Sequence, residues 1–134
     1  MHKEQTRGLR NNNPLNVRIG NVWLGEVAHP TDPDFEQFVS IEYGIRAAFI
    51  ILRRYIRRYK KDSIRAIIST WAPASENDTE SYIAMVSRAI SIPPDAPLRF
   101  EDKDIMCSLV DAMILRECGE HVASVSISKA YDMC

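Results

Sequence analysis

The sequence predicts a mainly α-helical domain with one small β-hairpin near its start. Three observations carry this. Apolar residues recur at three-and-four spacing in several segments after position 42. Turn-forming residues crowd the first third of the chain, and the pair Gly20-Asn21 sits between two short β-prone runs. At 134 residues and 46% hydrophobic, the chain fits a single domain, 1–134, with its own core.

Taken in order, Asn11-Asn12-Asn13-Pro14 is turn chemistry, because asparagine side chains bond their own backbone and proline disfavours helix before it. Val17 to Ile19 and Val22 to Leu24 flank Gly20-Asn21 as a hairpin. His29, two prolines, Asp34, Phe35 and Phe38 form a loop with aromatic anchors. Ile45, Ala48, Phe49, Leu52, Tyr55 and Ile56 then predict a long helix over 42–59, with Arg53, Arg54, Arg57, Arg58, Lys60 and Lys61 largely on its other faces. Asp62 or Ser63 caps the next helix, whose face is Ile64, Ile67, Ile68 and Trp71 and which stops at Ala72-Pro73. Thr79 reads as the N-cap of a helix bearing Tyr82, Ile83, Val86 and Ile90, ended by Ile92-Pro93-Pro94. Two more helices are predicted, over about 104–117 and 124–131.

Composition narrows the function. A net charge of −1 excludes a globally basic nucleic-acid binder. Cys107, Cys118 and Cys134 are odd in number and lack paired metal-ligand spacing, so neither a disulfide scaffold nor a metal site is expected, and no cofactor is implied. The polar N-terminus shows no secretory signal and no segment approaches a membrane span, which predicts a product made in the cytoplasm.

Glu117 is the most informative residue. Helical steps back from it meet Met113, Val110 and Met106, flanked by Ile114, Leu109 and Ile105, so an acid continues an apolar stripe up to the capping Gly119. A carboxylate there loses solvation, which raises its pKa towards the range of a general acid. The plainer reading is a helix-end acid turned into water beside Glu120.

The run Asn13-Pro14-Leu15-Asn16-Val17-Arg18, then Trp23-Leu24-Gly25-Glu26, then Phe38, Ser40 and Glu42-Tyr43-Gly44-Ile45-Arg46-Ala47 resembles phage-type lysin and virion proteins of the lysozyme-like superfamily and, more distantly, its peptidoglycan glucosaminidases. Trp71-Ala72-Pro73, Ser75-Glu76-Asn77-Asp78-Thr79 and Tyr82 are the most specific part of a resemblance that spans about 8–119. In most of that superfamily the catalytic glutamate ends a helix before the Asn-rich turn. Here only a dozen residues precede the turn, none forming a helix with an apolar face, while the stretch from Ala112 to Gly119 resembles the missing helix. The resemblance therefore implies a lysozyme-like fold circularly permuted to carry its catalytic helix at the C-terminal end.

That resemblance implies a muramidase or lytic transglycosylase acting on peptidoglycan glycan strands, with Glu117 as general acid. Glu26, Asp34 and Glu36 are candidates for a second carboxylate, with Glu26 favoured because it follows Trp23-Leu24-Gly25, although Glu26 also reads as an exposed hairpin charge. Without a second carboxylate the substrate's N-acetyl group would serve, giving an anhydro sugar.

Glu76 and Asn77 read as helix-cap residues or as a loop lining the glycan cleft; Tyr82 as a core tyrosine or a residue closing on the reacting sugar. Trp71 could stack on a sugar or pack in the core, and Asn11 and Asn13 are turn residues first and ligands second. Action at the cell wall or periplasm, as a phage or prophage product with other virion or secretion components as possible partners, follows from the same resemblance. Other classes compete: a virion structural component with a weakened site, or a wall- or nucleic-acid-binding module using the Arg53–Lys61 basic face, with nucleic acid the less expected partner. Cleavage of the peptide cross-link is less expected, since His2, His29 and His121 are scattered and Cys118 near His121 is a weak thiol pattern.

Overall fold

A computed structural model describes residues 5–75 and 77–134. Its helices are α1 (Arg7–Arg10), α2 (Ile41–Arg57), α3 (Ile64–Trp71), α4 (Thr79–Ile90), α5 (Lys103–Cys118) and α6 (Ser124–Asp132). The mainly α expectation holds. Among the described residues no helix is long and apolar enough to cross a membrane.

Helix α5 occupies the centre. Met106, Leu109, Val110, Ala112, Met113 and Ile114 are all buried, so it is covered on nearly every side, as expected of a helix without one clear apolar stripe. It lies against α4 and α6, while α2 packs chiefly on α6. The junction is sealed by Phe49, Phe100 and Tyr131, with Phe100 and Tyr131 stacked at 5.2 Å and the Tyr131 hydroxyl donating to the Phe100 carbonyl at 2.8 Å.

Two helix starts follow their side chains. Ser63 Oγ accepts from the Ala66 amide at 3.1 Å, as anticipated. The cap of α4 is Asp78 rather than Thr79, its carboxylate accepting from the Ser81 amide at 3.2 Å. Thr79 Oγ1 instead turns inward and donates to the Ala72 carbonyl at 2.5 Å. The short α1 was not anticipated.

The segment from Asn11 to Ser40 departs most from expectation. The hairpin across Gly20-Asn21 does not form, and no strand occurs among the described residues. Instead Arg18 bridges Phe35 and Glu26 bridges Phe38, each antiparallel and isolated. Val22 is 95% exposed, so its side of a hairpin would have had nothing to pack on, and such a ribbon is marginal alone. Side-chain bonds to backbone build the loop instead. The fully buried Asn13 accepts from the Val17 amide at 2.9 Å and donates to the carbonyls of Val17 and Glu36 at 2.9 and 3.0 Å. Asp32 accepts from the Arg7 guanidinium at 2.5 and 2.6 Å, from Asn11 Nδ2 and from the amides of Asp34 and Phe35. Gly44 lets this loop touch α2: a Cβ there would stand 1.8 Å from the Asn12 carbonyl oxygen.

Candidate active site

The backbone of α5 stops at Gly119, whose φ of 74° is the left-handed cap its sequence promised. That stop leaves Glu117 half-buried at the end of the central helix, facing the Asn-rich loop. The neighbouring Cys118 thiol donates to the Pro14 carbonyl at 3.1 Å, which fixes the helix end against that loop.

Glu117 lines a cleft of about 400 Å³ with Leu15, Asn16, Arg18, Phe35, Trp71, Ala72 and Asn77. Three regions distant in sequence supply these walls: the loop after α1, the end of α3 with the following turn, and the end of α5. Among the described lining residues Glu117 is the one carboxylate. Burial raises its pKa above the ordinary carboxylate value, opposed by a hydrogen bond from the Trp71 side chain and by the nearby Arg116 charge. Arg116 is anchored by Ser81 Oγ at 3.2 Å and sits 5.2 Å over the Tyr82 ring.

The expected residues separate into those brought to this cleft and those kept from it. Trp71 and Asn77 line it with Glu117. Asn77 also donates to the Pro73 carbonyl at 3.3 Å, closing the turn that carries it. Tyr82 is 2% exposed and stands behind Glu117, whose charge adds to burial in raising the phenol's pKa; its hydroxyl has no partner among the described residues. Asn13 is not at the wall, because its whole amide is engaged by backbone. Glu76 lies outside the described residues.

Glu26 is not among the residues lining this cleft. It pairs with Glu36, which is buried and whose pKa is pushed up to about 7 by burial, by a hydrogen bond to Glu26 and by repulsion from it. Asp34 is held at 3.1 Å by Arg7. Thus none of the three candidates for a second carboxylate lines the cleft with Glu117. Cys118 and His121 do not pair either, since the thiol serves Pro14 and His121 Nδ1 lies 3.0 Å from Asp111.

Arg18 and Phe35 are site residues that the sequence reading did not single out. Two guanidiniums stand over the Phe35 ring, Arg7 at 4.6 Å and Arg18 at 5.0 Å from its centroid. The Arg18–Phe35 bridge places both at the wall. Alternation along a strand could have flagged the pair only if the partner strand had been identified.

Fold and site together define a small helical protein whose one described cleft carboxylate ends a buried central helix. No family model matches the chain. It is 43% identical over 122 residues to "Protein P5" of Pseudoalteromonas phage PM2, an alignment that covers 88% of this chain and 74% of that protein. The chain belongs to the family of that phage protein.

Proposed function

We propose that the protein cleaves peptidoglycan glycan strands between N-acetylmuramic acid and N-acetylglucosamine, with Glu117 as general acid. The observation that carries this reading is Glu117 itself: a half-buried carboxyl with a raised pKa, held by Trp71, at the wall of a cleft shaped by an aromatic pair and polar side chains. A group of that kind is protonated closer to neutrality than an exposed glutamate and can give its proton to a leaving glycosidic oxygen. The phage origin of the relative fits a wall-directed role. A permuted lysozyme-like arrangement, with the catalytic helix late in the chain, belongs to the same proposal.

The lone carboxylate among the described lining residues favours an intramolecular route over a two-carboxylate hydrolase. Glu117 protonates the bridging oxygen and the C1–O bond breaks. The substrate's own acetamido oxygen closes on C1 to give a cyclic cation. The sugar's C6 hydroxyl then attacks C1, the acetamido group is released, and the hydroxyl proton returns to Glu117. The product is a 1,6-anhydro end, with the acid restored and no water consumed. Trp71 stands with the carboxyl at the cleft wall, and Asn16, Arg18 and Asn77 supply polar contacts for the sugar.

The second reading is a wall-binding virion component of the same fold, favoured by the exposure of Asn77 at the cleft wall. Mass spectrometry of digested sacculi decides. Anhydro-muropeptides are expected; reducing muropeptides would assign a hydrolase, cleaved peptides would move the activity to the cross-link, and tight binding without release would leave the structural reading.

A further inference from the structure

The cleft does not end at Trp71. Asn16, Arg18 and Trp71 also line a second, smaller space of about 180 Å³, whose other walls are Val17, Ile51 and Tyr55. Sharing three residues with the Glu117 cleft, it continues the same groove towards α2. Tyr55 meets Trp71 edge-on at 6.3 Å, so the far wall is aromatic. The chain then turns back over it. Lys60 adopts a left-handed φ of 56°, the Lys61 amide donates to the Tyr55 carbonyl at 2.8 Å, and the Lys61 ammonium stands 5.8 Å over the Tyr55 ring.

One cation, Arg18, therefore lines this compartment, and a second, Lys61, stands over the ring of Tyr55, one of its walls. Neither has a carboxylate partner among the described residues. Other arginines nearby are committed: Arg7 to Asp32, Arg57 to Glu101 and Arg65 to Asp95. A neutral sugar would require neither charge. An occupant that is partly apolar, reaches over an aromatic wall and carries carboxylates would use both.

We infer that this compartment binds the carboxylate-bearing peptide arm of peptidoglycan, so that the preferred substrate is peptide-substituted glycan rather than bare glycan. The inference rests on the glycan-cleaving reading given above and adds a specificity to it. The peptide is amide-linked to the lactyl group on C3 of the muramic acid, the same sugar whose C1 carries the scissile bond, which suits a pocket adjoining the acid rather than one remote from it. Arg18 lines both compartments and Tyr55 the outer one alone, with the Lys61 ammonium over the Tyr55 ring.

The experiment compares initial rates on intact sacculi with rates on glycan strands stripped of peptide by an amidase. Wild type, Lys61→Gln, Lys61→Arg and Glu117→Gln are measured on both. Wild type is expected to prefer peptide-bearing strands by about tenfold, the effect of one charge-assisted contact. Lys61→Gln should bring that ratio close to one, and Lys61→Arg should restore most of it with an unchanged melting temperature. Equal wild-type rates on the two substrates, or a Lys61→Gln loss shared equally by both, would overturn the peptide assignment while Glu117→Gln remained inactive. Undiminished cleavage by Glu117→Gln would instead overturn the glycan-cleaving reading and the peptide assignment built on that acid.

Discussion

Trp71 and Glu117 line the same cleft, where the end of α3 meets the end of α5. The indole favours the ionised form of the acid, while burial favours the protonated one, and burial is the larger effect.

Glu117→Gln keeps the size of the side chain and removes the proton donor. Turnover of peptidoglycan is expected to fall about 100-fold or more, with glycan binding retained and stability unchanged or slightly raised. Turbidity clearing of chloroform-treated Gram-negative cells gives the rate. Glu26→Gln, placed with Glu36 rather than in the cleft, should change turnover less than about threefold. A Glu26→Gln variant as inactive as Glu117→Gln would restore the two-carboxylate mechanism.

Trp71→Phe removes the indole donor and keeps an aromatic ring. The acid should then hold its proton to higher pH, so the alkaline limb of the pH–rate profile should move upward. The sign follows from losing a bond that lowered the pKa. A downward or absent shift, in a variant that still folds, would detach Trp71 from the acid.

Glu36 makes stability depend on pH. Its folded value of about 7 lies above the ordinary 4.5, so the folded protein binds this proton more tightly than the unfolded chain does. The contribution is complete below 4.5 and is lost as pH rises to about 7. The melting temperature is therefore expected to drop by about 3–8 °C between pH 5 and pH 8, and Glu36→Gln should flatten that drop. Because Glu26 supplies part of that upward push on Glu36, Glu26→Gln should flatten it too.

Asn13→Ala leaves two backbone carbonyls and one amide in a buried loop without their present partner. A loss of about 2–3 kcal/mol is expected in chemical denaturation. Activity should fall with it, since the loop also presents Leu15, Asn16 and Arg18 to the cleft.

The helices were legible because each writes its own periodicity. Leu52 and Ile56 mark α2, and Ile64, Ile67 and Ile68 mark α3. The end of α5 near Glu117 was readable too, since an acid ending a buried run and followed by a capping glycine is a local signal. The partners of that helix were less readable. Apolar residues nearly all round α5 say that it is buried without saying by what. The loop was illegible for a different reason: its order comes from Asn13 and Asp32 reaching residues as many as 23 to 25 positions away, which no short window contains. Arg18 and Phe35 reach the site through that loop and were missed with it. Asp78 and Thr79 exchanged roles because either side chain can cap, and tertiary packing drew Thr79 towards Ala72.

The contact between Cys118 and Pro14 spans 104 positions, and the cleft lies on that same seam. During synthesis the loop wall emerges early and waits, without its acid, until α5 has been made and docked. Loop-closure entropy over so long a stretch also places this docking late in folding, after the local helix pairs. The cleft is thus completed only when the two distant segments meet, and any activity of the proposed site should appear in a single step with that docking. Pulse-labelled chains captured at increasing length would show protease-resistant α3–α4 well before any bond-cleaving activity.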